Sequence, residues 1–276
     1  MAIDNSFIIK KIEKFEYLHI LYSTATKLPF IECDDETFDD QIYAFTTEEM
    51  TQAFARRYIT DKILLNAVKI PNDVFQKFFR SLYLLGVNAV MIQDEGAPVR
   101  VQLSQLCEAP DISEMKNTKV PAANPEMQLT GIYFMQELTR PIQRSNAEKK
   151  HLHELEEEMA HNLLNSPLIL TMDTTGIEGK WNPADKNQRP KVPMVTTKNG
   201  KSYQPVYTEI GEVRKFMQQT KSQQRLEMLA MPYEKLEGFL VGASEGFVFN
   251  PGGFNLILNR DQYKQMLTRY KQEAGE

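Results

Sequence analysis

The amino-acid sequence predicts a mixed α/β (α+β) protein built from two similar domains, each a mixed β-sheet with helices packed on it. Two observations carry this prediction. An ordered set of motifs occurs twice in the 276 residues, and a long internal repeat indicates two copies of one folding unit. Each copy also alternates helix-spaced apolar residues with short β-type runs, which favours sheets covered by helices.

Three residue pairs measure the repeat: Pro29 with Pro167, Thr46 with Thr208, and Pro71 with Pro232. The second and third pairs have almost the same separation along the chain, whereas the members of the first pair lie closer together. The register is therefore constant in the later part of each copy. We predict an insertion of about two dozen residues between the first two strands of the second copy.

A helix is predicted to open each copy. In the second copy Ser145 and Glu148 form a capping box, which satisfies free amide groups of the first helical turn. Apolar residues follow at helical spacing, at Leu152, Leu155, Met159 and Leu163. The same spacing predicts a helix in the first copy that includes Ile8, Ile12, Phe15, Leu18 and Tyr22.

The rest of each copy is predicted to run strand, strand, helix, strand, helix, strand, strand. Thr46 with Glu49 predicts another capping box, and Thr208 stands at the matching place. Pro71 and Pro232 are predicted to lie in the first turn of a helix, where a missing amide proton costs nothing.

Domain boundaries are predicted at the limits of the repeat, with a divergent copy at residues 1–104 and the second copy, with an extended hairpin loop, at 146–276. Residues 105–145 are predicted to be a linker, because they contain four prolines and few apolar positions before Met127. Asn124 predicts the start of a short helix that reaches about Leu138, although a strand over Ile132–Met135 stays open.

Composition excludes several classes of protein. The net charge of -5 gives no bulk attraction to nucleic acid or to an anionic membrane. The amino terminus lacks the features of a signal peptide, and no apolar run reaches the ~18 residues of a membrane span. Cys33 and Cys107 indicate neither a disulfide framework nor a zinc site. We expect a soluble, cytoplasmic protein.

Two short motifs suggest catalysis or ligand binding and are better explained as turns. Gly242–Gly246 matches the G-x-S-x-G pattern of hydrolases, but it lies between a helix and a strand, and all four histidines precede Ser244. Asn250-Pro251-Gly252-Gly253 leads into a strand, whereas a phosphate-binding loop leads into a helix. We therefore predict no catalytic residue and no cofactor.

Two groups of side chains have metal-ligand chemistry. His153, Glu157 and His161 lie on one side of the capped helix, but their neighbours are mostly charged, so a solvated face is favoured. Whether they meet ligands from another element stays open. The acidic run from Asp34 to Asp40 could attract calcium, yet it lacks the turn glycine and distal glutamate of an EF-hand loop. An exposed acidic loop is favoured, and no metal is predicted.

The extended loop of the second copy, Thr174–Pro193, is the predicted recognition site. Long loops without secondary structure are functional or disordered more often than structural. This loop places cationic and aromatic side chains on an acidic chain, namely Lys180, Trp181, Lys186, Arg189 and Lys191. Tryptophan and arginine dominate many binding interfaces, so these five residues are predicted to bind a partner. Two alternatives stay open: a flexible tip without a binding role, and a Trp181 ring that packs over the edge of the domain.

The second copy resembles the SseB-type (enhanced serine sensitivity) amino-terminal domain. The resemblance rests on Pro205–Thr208, on Met231-Pro232 and on Gly246–Gly252, and it covers most of residues 146–270. The first copy departs from it, because Gln93–Gly96 stands where Asn-Pro-Gly is expected. The resemblance implies an α/β fold and a bacterial cytoplasmic protein, and it transfers no catalytic residue, substrate or cofactor.

Two classes of function remain. We favour a non-enzymatic, macromolecule-binding or regulatory protein of the SseB type, whose partner is another protein rather than a nucleic acid or a membrane. Homo-oligomerisation stays open. The alternative is an enzyme, or a protein that binds a small ligand or metal at a site between the two domains.

Overall fold

The computed structural model describes residues 5–111, 120, 121, 123–182, 185 and 187–271. The chain divides into two compact units. Unit 1 consists of Met1–Asp111 with Gln128–Leu155, and unit 2 of Ile112–Met127 with Glu156–Glu276. Each unit holds one six-stranded mixed sheet. The predicted domain boundaries at residues 104 and 146 stay a prediction.

Unit 1 begins with ten elements in chain order: α1 (Ser6–Ile12), β1 (Tyr17–Ser23), β2 (Glu32–Cys33), β3 (Asp40–Phe45), α2 (Glu48–Ala55), β4 (Leu65–Pro71), α3 (Phe75–Tyr83), β5 (Ala89–Gln93), β6 (Val99–Gln102) and α4 (Leu103–Leu106). The strand order is β4-β1-β3-β5-β6, with β2 paired to β3. Strands β3 and β5 are parallel, and the other neighbours are antiparallel. Helices α5 (Pro125–Leu138) and α6 (Asn146–Asn165) follow, and the division between the units falls inside each of them.

Unit 2 continues with eight elements: β7 (Leu168–Asp173), β8 (Val195–Thr196), β9 (Ser202–Tyr207), α7 (Ile210–Thr220), β10 (Leu226–Met231), β11 (Gly246–Phe249), β12 (Leu256–Asn259) and α8 (Arg260–Lys271). Its strand order is β10-β7-β9-β11-β12, with β8 paired to β9 and with β9 parallel to β11. This order repeats that of unit 1 strand for strand. The predicted fold class, two similar mixed sheets with helices, is confirmed.

The pairing register measures the insertion in unit 2. His19 pairs with Phe45 in unit 1, and Ile169 pairs with Tyr207 in unit 2. The segment that joins the paired positions is therefore longer by a dozen residues in unit 2, and this difference is the length of the insertion. The prediction of about two dozen was wrong, because Pro29 follows β1 whereas Pro167 precedes β7.

The predicted first helix is too long. Helix α1 ends at Ile12, whereas Leu18 and Tyr22 lie in β1. Strand β1 pairs with β4 on one side and with β3 on the other, and its inner residues are buried. A strand buried in this way carries a nearly continuous apolar run, which periodicity alone does not separate from a helix.

Two helix starts lie one residue later than predicted. The residue that caps α2 is Thr47, whose Oγ1 accepts the N–H of Met50 at 3.2 Å. The hydroxyl of Thr46 instead donates to Asp94. The residue before α7 is likewise Glu209 and not Thr208. Each threonine is held by the neighbouring strand end and is therefore not the helix cap.

Two other helix starts are confirmed. The N–H of Ser145 donates to Glu148 Oε2 at 2.8 Å, and the N–H of Glu148 donates to Ser145 Oγ at 3.3 Å. Asn124 Oδ1 accepts the N–H of Met127 at 3.3 Å, and α5 is a helix of 14 residues rather than a strand.

Neither proline lies inside a helix. Pro71 is the last residue of β4, and Pro232 directly precedes a 3₁₀-helix over Tyr233–Phe239. The α-helix predicted after Pro232 is therefore wrong. The buried side chains of this segment, Tyr233 and Leu236, are three residues apart, which suits a helix with three residues per turn.

Each unit has an apolar cluster on its first two long strands, which are β1 and β3 in unit 1 and β7 and β9 in unit 2. Phe45 of unit 1 and Tyr207 of unit 2 occupy the same register position, and both side chains are buried at the centre of an apolar cluster. Val120 packs against the cluster of unit 2. None of the described helices has the length and apolar character needed to cross a membrane.

Candidate functional site

The end of β11 is joined to the residue after β9 by a buried asparagine. Asn250 and Thr208 are both fully buried. Asn250 Oδ1 accepts the N–H of Thr208 at 3.0 Å, and Asn250 Nδ2 donates to Thr208 Oγ1 at 2.8 Å. Both ends of the amide therefore hold two parallel strands together, and we call this contact the asparagine latch.

The glycines after the latch allow α7 to pack against the turn. The carbonyl of Asn250 accepts the N–H of Gly253 at 2.8 Å and that of Asn255 at 3.1 Å. A side chain at Gly253 would place its first carbon 2.5 Å from Glu212 Oε2. Asn250-Pro251-Gly252-Gly253 thus forms a tight turn, as the sequence predicts.

A related contact occurs in unit 1, one residue further along the chain. Thr46 Oγ1 donates to Asp94 Oδ1 at 3.0 Å, while the residue that matches Asn250 in the strand register is Gln93. Asp94 also forms an ion pair with Lys11. The hydrogen bond from Lys11 is the main cause that lowers the pKa of Asp94. The sequence analysis missed this contact, although Asp94 stands directly after β5 and could have indicated it.

Two buried glutamates lie beside the latch, and the sequence analysis missed both. Glu209 Oε2 accepts the N–H of Asn124 at 2.8 Å, and Glu212 Oε1 accepts from Lys215 Nζ at 2.9 Å. Both residues are at most 4% exposed. They lie at the start of α7, where the helix dipole favours negative charge. Many α/β proteins bind ligands at this edge of the sheet. Here the other carboxylate oxygen of Glu212, Oε2, is buried and accepts no hydrogen bond from the described residues.

The G-x-S-x-G segment is a turn. Ser244 is 3% exposed, its Oγ donates to the carbonyl of Gly246 at 2.6 Å, and the same Oγ accepts the N–H of Gly246 at 3.3 Å. The hydroxyl is thus engaged within its own turn. At Gly246 a side-chain carbon would lie 2.1 Å from the carbonyl oxygen of Leu258, so this glycine allows close strand approach.

The groups with metal-ligand chemistry lie on the surface of the helix or within the acidic loop. His153 and His161 are exposed on α6, and Glu157 is partly buried. Across the described residues, no three or more His, Cys, Asp or Glu side chains are arranged to share a metal ion.

Arg100 organises the acidic loop before β3. Its guanidinium donates to Thr37 Oγ1 at 2.7 Å and to Gln41 Oε1 at 3.1 Å, and it forms an ion pair with Asp34. The backbone N–H of Thr37, at 2.9 Å from Asp34 Oδ1, is the main cause that lowers the pKa of Asp34. The carboxylate of Asp34 thus accepts a hydrogen bond within the turn and also forms the ion pair with Arg100.

A small cavity lies in unit 1, with a volume of about 110 Å³. It is lined by residues of three segments, which include Ser23, Lys62, Gln136, Thr139 and Arg140. Sites for small molecules usually measure ~300 Å³ or more, so this cavity has the size for a few water molecules.

The predicted recognition loop is described except for Pro183, Ala184 and Lys186. Lys180, Arg189 and Lys191 are exposed, and Trp181 is partly buried. Lys186 lies outside the described residues. The loop connects β7 to β8.

The base of the loop is fixed by backbone and side-chain contacts. Asp173 and Lys191 exchange two backbone hydrogen bonds, at 2.8 and 3.0 Å. Arg225 Nε donates to Thr174 Oγ1 at 3.0 Å, and its Nη2 donates to the carbonyls of Thr174 and Ile177. Hydrogen bonds from Thr175 lower the pKa of Asp173. The loop therefore leaves the sheet from a defined base and carries its cations outward.

Comparison with known proteins gives one family match. Residues 146–262 match the family model described as the SseB protein N-terminal domain, which confirms the resemblance of the second copy. No curated protein matches the chain.

Two solved structures align with the chain over most of its length. Anabaena Tic22 (protein transport) is 9% identical, with a TM-score of 0.21 over 84% of this chain and 85% of the other. Tic22 from Plasmodium falciparum is 11% identical, with a TM-score of 0.20 over 98% of both chains.

Proposed function

From an SseB-type domain at residues 146–262, we propose that this chain is a non-enzymatic protein of the bacterial cytoplasm that acts by binding another protein. The loop between β7 and β8 is the proposed binding site. One observation carries the proposal: the insertion of unit 2 is held at its base by Arg225 and presents Trp181 with exposed cations. A rigid base with a polar, aromatic tip is typical of recognition loops.

The polar residues that the motifs single out support a structural role over a catalytic one. Asn250 uses both ends of its side chain in the latch, and Ser244 bonds within its own turn. Catalysis needs polar groups that converge on a substrate, whereas these groups converge on backbone and side chains of the same unit. The first unit carries a loop of only eight residues, 24–31, at the place of the insertion.

The test removes the insertion and leaves its base. A variant that lacks Glu178–Arg189 is shorter by the length of the insertion and keeps Thr174, Ile177 and Lys191. We expect it to keep the thermal midpoint of the parent protein, measured by circular dichroism, because the deleted residues lie beyond the fixed base. Quantitative mass spectrometry of proteins that co-purify from the native cell should show loss of the partner.

Trp181→Ala is a second, smaller change for the same test. It should weaken capture of the same partner without a change in thermal midpoint. If both variants retain every partner of the parent at equal abundance, the loop is a passive insertion and the proposed function is wrong.

A further inference from the structure

We infer that the loop between β7 and β8 and the turn between β8 and β9 form one cationic surface that binds an acidic segment, rich in Asp and Glu, of the partner protein. The inference rests on the proposed function and adds the chemistry of the partner. It also adds two residues that the sequence analysis did not select, Lys198 and Lys201. We call the described residues of this segment, 178–182, 185 and 187–201, the cationic hairpin.

The turn that carries the two added lysines is well defined. The N–H of Thr197 donates to the carbonyl of Lys201 at 2.8 Å, and the N–H of Gly200 donates to the carbonyl of Thr197 at 2.9 Å. Lys198 and Lys201 are both exposed. Their side chains therefore extend from a fixed turn into solvent.

The topology brings the turn and the loop to one end of the sheet. Strands β7 and β9 are antiparallel, with Leu170 paired to Val206. The loop leaves the end of β7, and the turn leads into the start of β9. Both therefore lie at the same end of the sheet of unit 2, while the asparagine latch lies at the opposite end.

The charge of the cationic hairpin differs in sign from that of the whole chain. The described residues of the hairpin include five Lys and Arg residues against Glu178 and Asp185, a net charge of +3, although the chain carries -5. The rest of the chain therefore carries -8. Local cations on an acidic protein attract an anionic partner to that place and repel it elsewhere.

The cations of the hairpin are available to a partner. Its exposed cations are Lys180, Arg189, Lys191, Lys198 and Lys201. Lys191 already attracts the carboxylate of Asp173 at the base of the loop, and that attraction contributes to the lowered pKa of Asp173. Within the described part of the chain, the other four form no ion pair with a carboxylate, whereas Lys150 and Lys215 do. A partner carboxylate would thus gain an attraction without breaking an existing pair.

An acidic protein segment fits this surface better than a nucleic acid. A nucleic acid carries charge along its whole length and would extend past the hairpin over the acidic remainder of the chain. A short acidic segment can place its carboxylates at the hairpin alone. Trp181 provides apolar contact area beside the cations, which suits a peptide side chain.

The experiment measures binding of three fluorescent probes to the full chain by anisotropy. The probes are a peptide of eight alternating Glu and Asp residues with two Leu, the same peptide with Gln and Asn in place of the acids, and an oligothymidylate. We expect the acidic peptide to bind and the amide peptide to bind at least about tenfold more weakly, and added salt should weaken the first complex. Quenching of Trp181, the only tryptophan, gives an independent readout.

The double variant Lys198→Glu, Lys201→Glu tests the added residues. It should lower the affinity for the acidic peptide at least about tenfold, because two attractions become repulsions. The control is Lys10→Glu, Lys14→Glu in unit 1, two exposed lysines whose replacement changes the net charge by the same amount. The control should change the affinity less than about twofold.

Three results would overturn the inference: equal binding of the acidic and amide peptides, unchanged binding by the Lys198 and Lys201 variant, or tighter binding of the oligothymidylate. The proposed function is tested separately by deletion of Glu178–Arg189. If that deletion loses the cellular partner while the acidic peptide fails to bind, the proposed function stands and the acidic partner is wrong.

Discussion

Asn250 shows how one side chain holds two strands. Its side chain makes two buried hydrogen bonds, and its backbone has a positive φ of 45°. Replacement by Ala would leave the N–H of Thr208 without its acceptor inside the protein. Unpaired buried polar groups are costly, which explains why the asparagine occupies a strained backbone position.

We therefore expect Asn250→Ala to lower the free energy of unfolding by about 2 to 4 kcal/mol. The matched control is Asn255→Ala, because Asn255 has a similar φ of 58° but is exposed. The control should cost about 1 kcal/mol, since only the backbone preference is lost. Urea denaturation of both variants measures the difference, and equal losses would show that the side-chain bonds contribute nothing.

The ion pair between Asp94 and Lys11 predicts that the stability of unit 1 depends on pH. Its pKa is lowered by the hydrogen bond from Lys11, so the folded protein keeps the carboxylate ionised at lower pH than the unfolded chain does. The stabilisation from this group is complete above about pH 4 and is lost as the pH falls through the folded-state pKa.

The expected result is that Asp94→Asn is less stable than the parent at pH 7 and that the difference shrinks toward pH 2. Urea denaturation at pH 7, 4, 3 and 2 measures it. Glu95→Gln is the control, because Glu95 is exposed next to Asp94, and it should lower stability at pH 7 less than Asp94→Asn does. A constant difference for Asp94→Asn would exclude the ion pair as its cause.

At the scale of elements, a glycine sets the spacing of β11 and β12. Any side-chain carbon at Gly246 would lie 2.1 Å from the backbone oxygen of Leu258, and backbone atoms move only at high cost. We expect Gly246→Ala to destabilise the protein by about 3 kcal/mol or more.

Gly242 of the same motif is the matched control for this substitution. No atom lies within 4 Å of a side-chain carbon built there. Gly242→Ala should change stability by less than about 0.5 kcal/mol. Thermal denaturation of the two variants tests whether the G-x-S-x-G segment serves strand packing. A similar loss for both would contradict this explanation.

Sequence patterns identified elements with local signals and missed those that depend on neighbours. The capping box at Ser145 and the helix after Asn124 were predicted because both depend on adjacent residues. Strand β1 was assigned to a helix, because its burial comes from pairing with β3 and β4. The latch and the buried glutamates were missed for the same reason: Thr208 and Asn250 are 42 residues apart.

For the whole molecule, residues before α6 contribute to unit 2. The N–H of Ile210 donates to the carbonyl of Pro121 at 3.0 Å, and Asn124 Nδ2 donates to Ser166 Oγ at 2.6 Å. Val120 packs against the apolar cluster of the unit. These contacts join residues far apart in the chain, so the local sequence pattern carries no sign of them.

A fragment of residues 112–276 should fold with a higher thermal midpoint than a fragment of residues 145–276. The shorter fragment lacks the contacts of Val120, Pro121 and Asn124, and we expect a difference of about 5 °C or more. Circular dichroism during heating measures both midpoints. Equal midpoints would show that the segment before α5 does not stabilise unit 2.

The asparagine latch also controls the rate at which the buried amide proton of Thr208 in unit 2 exchanges with solvent. The amide proton of Thr208 is bonded to a side chain at a fully buried position, so it exchanges with deuterium only when the latch opens. The amide of Thr46 in unit 1 is bonded to the backbone carbonyl of Gln93 at 3.2 Å instead. In Asn250→Ala, exchange at Thr208 should accelerate strongly while exchange at Thr46 stays unchanged, so these two protons report the opening of each unit separately.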